Sequence, residues 1–194
     1  MLNVISGLLS GGAAPAAATS YESIATVTLG SDQTEINFTS IASTWKHLQI
    51  RYVAKANVGS NYAQSISMRF NSDTGTNYSR HAIAAYTGGY ASTTSFGDAS
   101  QNIINLFSGA SSTNWNASTF GAGIIDILDY QNTNKYKTVR SLAGAESNDA
   151  STLVSTLGLS SGLWQSTSAI TSITLTSNAA FKQYSSFALY GIKG

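Results

Sequence analysis

Two-residue alternation is what most limits the folds open to this chain. From Tyr136 to Ile192 it reads YKTVRSLAG, LVSTLGLSSGLW, ITSITLTS and SSFALYGI, with apolar residues alternating with Ser and Thr in short runs. Successive side chains on a strand point to opposite faces, so runs of this kind predict strands with one face buried and the other solvated. They are too short and too rich in β-branched residues for helices. The expectation is an all-β body that turns small polar side chains to water.

The same pattern extends upstream. Tyr21 to Leu29 and the run from Thr34 flank Gly30-Ser31-Asp32 and predict a hairpin-like pair. KHLQIRYVAKA, from Lys46, sets Leu48, Ile50 and Tyr52 on one face and Gln49 and Arg51 on the other. QSISMRFNS exposes Ser65, Ser67 and Arg69 if Ile66, Met68 and Phe70 turn inward, and runs from Arg80, Asn102 and Phe120 supply further strands. Stretches from Tyr86 to Gln101 and from Ser108 to Ser118 read as long Gly/Ser/Thr/Asn loops carrying the isolated aromatics Tyr90, Phe96 and Trp115. About ten strands in 194 residues fit one antiparallel β-sandwich of jelly-roll type.

Residues 1–20 differ in composition from the rest of the chain. They contain no charged side chain and the chain's single proline, Pro15. A secretory signal is one reading, but no Lys or Arg opens the segment and Ser6 and Gly7 interrupt its apolar run. A frayed end is another, though such ends are seldom this apolar. The third is an extended anchoring arm, in which Leu2, Val4, Ile5, Leu8 and Leu9 bury on another subunit and Gly11 to Ala18 is a spacer. The expected organisation is this arm followed by a sandwich domain over residues 21–194.

Composition narrows function. Charged residues make up 10% of the chain, against about 25% in ordinary domains, so Ser, Thr, Asn and Gln must carry solubility. Ten Lys+Arg against nine Asp+Glu leave a formal charge of +1 with no run of like sign, which gives no pull toward nucleic acid or an anionic membrane. Absence of cysteine removes disulfides, thiolate metal sites and a cysteine nucleophile together. No apolar stretch approaches the roughly 20 residues that span a bilayer.

Candidate chemistry is sparse. His47 and His81 lack ligand-spaced partners and read as hydrogen-bonded histidines on or beside strands. Asp126 and Asp129, three apart, fall on opposite strand faces and cannot act as a paired acid and base; Asp129 is expected to open a turn and Asp126 to meet Arg140. Glu146 and Asp149 offer two of the several carboxylates a calcium loop needs. No GxSxG elbow, Walker loop or dinucleotide fingerprint is present. No catalytic, metal or cofactor residue is expected. Asn37, Asn77 and Asn116 match the glycosylation pattern, which carries weight only in a secreted eukaryotic protein. Trp45 and Trp164 read as anchors at strand ends. Trp115, a ring among short polar residues, pairs with Tyr90 as a candidate recognition surface, with packing under the sandwich edge as the plain alternative.

Several blocks carry a family resemblance: Tyr21-Glu22-Ser23-Ile24-Ala25; Trp45-Lys46-His47-Leu48-Gln49-Ile50-Arg51; Arg69 through Asn71-Ser72-Asp73-Thr74-Gly75 to Ser79; Gly162-Leu163-Trp164 through Ile173; and Ser186-Phe187-Ala188-Leu189-Tyr190-Gly191-Ile192-Lys193. Over roughly Tyr21 to Lys193 the chain resembles a family of tailed-bacteriophage virion proteins. That resemblance implies a structural role at the particle surface, commonly as a homotrimer. One expectation is a capsid decoration, cement or head-fibre protein docked on the major capsid protein through its arm. The other is a tail-fibre or tail-tip module that recognises host surface glycan through Tyr90 and Trp115. Neither needs a cofactor, nucleic acid or membrane.

Overall fold

The computed structural model describes residues 20–86, 92–148 and 155–194. These residues form twelve strands: β1 (Tyr21–Thr28), β2 (Gln33–Phe38), β3 (His47–Ala54), β4 (Gln64–Phe70), β5 (Tyr78–Tyr86), β6 (Ser92–Gln101), β7 (Ile104–Ala110), β8 (Gly121–Leu128), β9 (Lys137–Ala145), β10 (Thr156–Trp164), β11 (Ile173–Phe181) and β12 (Ser186–Ile192). All ladders between them are antiparallel. Eight strands make one sheet in the order β1-β12-β3-β8-β9-β10-β5-β6, and four make the other in the order β2-β11-β4-β7. No helix among the described residues is long and apolar enough to cross a membrane. The chain is an all-β protein of two antiparallel sheets, as the alternation predicts.

The core lies between the sheets. Leu48 and Ile50 of β3, Ile125 and Ile127 of β8, and Phe187 and Leu189 of β12 meet Ile66, Met68 and Phe70 of β4 and Ile173 and Leu175 of β11 in one continuous cluster. At one end, Trp164 stacks on Tyr78 and tilts against Phe70, with ring centroids 6.2 and 5.5 Å away. The Trp164 Nε1–H donates to Asp73 at 2.7 Å, which satisfies the one polar atom that this large ring would otherwise bury unpaired.

Two expectations are corrected. β1 and β2 do not form a hairpin: β1 pairs with β12 and β2 with β11, in different sheets. The intervening loop crosses the sandwich because Leu29 is buried, its N–H donating to Ser185 and its carbonyl accepting from Tyr184. Asp32 fixes the crossing by accepting from Asn57 Nδ2 at 2.8 Å and from the Gln183 N–H at 2.9 Å. The predicted loop from Tyr86 to Gln101 is mostly strand, since β6 runs along β5 as an edge. Its sequence, STTSFGDASQ, shows no apolar alternation. What holds it is the ladder, the Arg80–Asp98 ion pair at 2.7 Å and the stacking of Phe96 on Phe107, centroids 5.6 Å apart.

β7 passes close beneath the larger sheet. A Cβ on Gly158 would collide with the Phe107 ring, and one on Gly162 would sit 2.6 Å from Ile104. The Phe107 N–H donates to Ser160 Oγ at 3.0 Å. β10 therefore turns Gly158, Ser160 and Gly162 inward and Leu157 and Leu159 outward. On this strand the expectation of small polar side chains facing water is reversed. The inner side has room only for small residues, and period-two geometry then sends the leucines out.

Candidate functional site

Most residues singled out from sequence are either structural or lie outside the described residues. Leu2, Val4, Ile5, Leu8 and Leu9 of the arm fall outside them, as do Tyr90 and Asp149. Trp115 is corrected as a recognition residue: its ring is 2% exposed, packed with Ala63 and Ala145, and its Nε1–H reaches the Asn61 carbonyl at 3.4 Å. A ring so enclosed has no face left for a sugar. It plugs the loop end of the sandwich, the plain alternative.

The loop beyond Trp115 is held by an unusual device. Lys55, just past the end of β3, is 3% exposed and points its ammonium at main-chain carbonyls, with Asn116 nearest at 2.7 Å and Thr119, Trp115 and Ala117 at 3.3 to 3.4 Å. Lys137, the first residue of β9, is fully buried and does the same at the other end, donating to Asn132 at 2.7 Å, Thr167 at 3.0 Å and Lys135 at 3.1 Å. Burial pushes both ammonium groups below the ordinary lysine value. Carbonyl dipoles supply the counter-field in place of a carboxylate, so each lysine ties a loop to the body of the sheet.

The histidines and carboxylates are dispersed. His47 Nδ1 accepts the Asp129 N–H at 2.9 Å, a hydrogen-bonded histidine at a strand start. Asp129, in the left-handed region at φ 48°, opens the turn and binds Lys135 at 2.5 Å, with Lys46 at 3.7 Å. The Lys135 ammonium is the main reason its carboxyl lies below the usual range. Asp126 stands opposite Arg140 in register but accepts from Gln49 Nε2 at 2.8 Å. The Glu146 carboxyl accepts from Ser155 Oγ and from the Asn148 N–H, and the serine is the main cause of its lowered value. Among the described residues no group of three or more His, Asp or Glu side chains is placed to hold a metal ion.

One surface stands apart, and sequence reasoning missed it. The outer face of the larger sheet carries a shallow groove of about 530 Å³ walled by His81, Ile83, Phe96, Arg140, Leu159 and Ser161. A neighbouring hollow of about 350 Å³ shares Arg140 and Leu159 and adds Ile124, Asp126 and Leu142. The first groove exists because Gly97 lies opposite His81, whose ring occupies the space a Cβ would need, 2.7 Å away. The two hollows together offer binding by apolar contact, rimmed by the His81 imidazole and Arg140 guanidinium in the first and by the Asp126 carboxylate in the second. The signal available in sequence was the alternation of Gly and Ser with Leu in β10, which an inward-apolar rule misassigns. Comparison of the chain with protein-family models, with curated proteins and with solved structures finds no match.

Proposed function

We propose that this chain is a non-enzymatic structural protein on the surface of a phage particle, a capsid decoration, cement or head-fibre protein held by its N-terminal arm. The observation that carries this reading is strand order. With β5, β6, β9 and β10 set aside, the larger sheet keeps β1-β12-β3-β8 and the smaller is β2-β11-β4-β7. The chain then crosses between sheets at β1 to β2, β2 to β3, β3 to β4, β7 to β8, β8 to β11 and β11 to β12. We read those eight strands as a jelly roll, an architecture used in viral capsid and lectin domains, with two inserted hairpins widening one sheet.

A charge-poor surface of hydroxyl and amide side chains suits a protein that spends its life packed on neighbours outside a cell. Each of the arm's five apolar side chains would contribute about 1.5–3 kcal/mol on full burial, before ordering costs are subtracted. Repetition over a particle turns modest single-arm affinity into firm attachment. The enclosure of Trp115 leaves no observation that favours the glycan-binding alternative.

The test is attachment. Full-length protein and a form lacking Met1 to Ala18 are incubated with undecorated heads, and bound protein is counted by electron microscopy of labelled particles. Full-length protein is expected to decorate and the truncated form to stay in solution. Equal binding by both would remove the arm, and failure of both would remove the capsid assignment.

A further inference from the structure

Among the described residues six large aliphatic side chains stand exposed, Val53, Ile83, Ile124, Leu142, Leu157 and Leu159, and all six lie on the outer face of the eight-stranded sheet. Four share one register row: Ile124 opposite Leu142, Leu142 opposite Leu159, Leu159 opposite Ile83. One adjacent row sets Leu157 between Gly144 and Ala85. The row on the other side carries Asp126, Arg140, Ser161 and His81. The smaller sheet differs, its outer rows being Asn37, Thr174 and Arg69, then Glu35, Thr176 and Ser67. Scattered exposed leucines mean little, but a contiguous row confined to one face marks a contact surface.

We propose that this face docks a second copy of the chain about a two-fold axis running along the strands between β9 and β10. Such an axis lays β9 of one copy on β10 of the other, and β8 on β5. Leu142 then meets Leu159, and Ile124 meets Ile83. Leu157 stands over Gly144, which has no side chain of its own, beside the Leu157 side chain of the copy it docks on. Asp126 faces His81, and Arg140 faces the Ser161 hydroxyl.

Each position finds a matching one in its own reflection, which is the requirement of an isologous interface and not of a contact with an unrelated protein. The area is also sufficient. The axis pairs six strands, β3-β8-β9-β10-β5-β6. Six strands about 4.8 Å apart and about eight residues long present a face of roughly 29 by 26 Å, about 750 Å² and close to the ~800 Å² per partner of a stable interface, and such sheets pack aligned at about −30°. A two-fold pair replaces the trimer that the phage-protein resemblance implies.

The experiment compares full-length protein with a Leu142→Glu, Leu159→Glu double variant by light scattering and sedimentation. Wild type is expected at twice the 20.3 kDa chain mass. The variant, changed only at exposed positions, should keep its circular dichroism and self-associate at least about tenfold more weakly. Because the chain has no cysteine, mixing Leu142→Cys protein with Leu159→Cys protein under oxidation should link the two into a dimer faster than either alone. A monomeric or trimeric wild type, undiminished pairing of the double variant, or no cross-link in the mixture would each overturn the proposal. Pairing by a protein that stays off virus particles would leave this interface standing and remove the virion reading alone.

Discussion

Lys137 is fully buried, and among the described residues it makes no ion pair; its ammonium is held by the carbonyls of Asn132, Lys135 and Thr167 at 2.7 to 3.1 Å. Removing the charge takes the donor from several main-chain carbonyls at once, in the turn after β8 and in the loop after β10. Lys137→Met keeps the volume and loses the donors, so it should cost about 2–4 kcal/mol in urea unfolding, the range for breaking charged hydrogen bonds in a buried setting. Lys135 is the control. Its ammonium binds Asp129 at 2.5 Å, but its side chain is 57% exposed, and Lys135→Met should change stability by no more than about 1 kcal/mol. Equal losses from the two would show that the carbonyl cage contributes no more than a surface ion pair.

At the scale of the element, β10 decides how closely the two sheets can approach. Its inward Gly158 and Gly162 admit Phe107 and Ile104 of β7, so a branched side chain at Gly158 must push the sheets apart. Gly158→Val should cost about 2–4 kcal/mol and lower the thermal midpoint by roughly 5–15 °C. Thr26→Val, at an exposed position of the edge strand β1 and outside the strands the two-fold pairs, should leave the midpoint within about 2 °C, since exposed strand positions tolerate β-branched residues. Comparable losses at both positions would refute the close-approach account. β10 also shows where the sequence is hard to read. Alternation locates the strand, but which side faces the core depends on β7, some fifty residues earlier in the chain. β6 was illegible for a related reason, because its ladder partner and Phe107 hold it and its own residues carry no apolar period. Ile66, Met68 and Phe70 of β4, Leu48, Ile50 and Tyr52 of β3 and Phe187 and Leu189 of β12 face in, and there pattern and structure agree.

For the molecule as a whole, the scarcity of charge sets how it answers to salt. Of the ion pairs among the described residues, Arg80–Asp98 has the best-buried member, the Arg80 side chain at 15% exposure; Lys46–Asp129, Lys182–Asp32 and Lys193–Glu22 each keep a lysine at 38% or more. Exposed pairs of this kind contribute little, and a formal charge of +1 leaves no net repulsion for salt to relieve. Raising NaCl from about 0.05 to 0.5 M shortens the Debye length from roughly 14 to 4 Å, yet with so little to screen the thermal midpoint should move by less than about 2 °C. Sulfate acts on a different term. It is excluded from protein surface and strengthens apolar burial, so sodium sulfate at matched ionic strength should raise the midpoint by several degrees. It should also tighten the two-fold pair across Leu142 and Leu159, where NaCl leaves that pair nearly unchanged. Differential scanning calorimetry and sedimentation in the two salts decide the matter. A midpoint that falls steeply with NaCl would mean that surface ion pairs hold the sandwich, and that the apolar core and outer row carry less of its cohesion than their burial and exposure indicate.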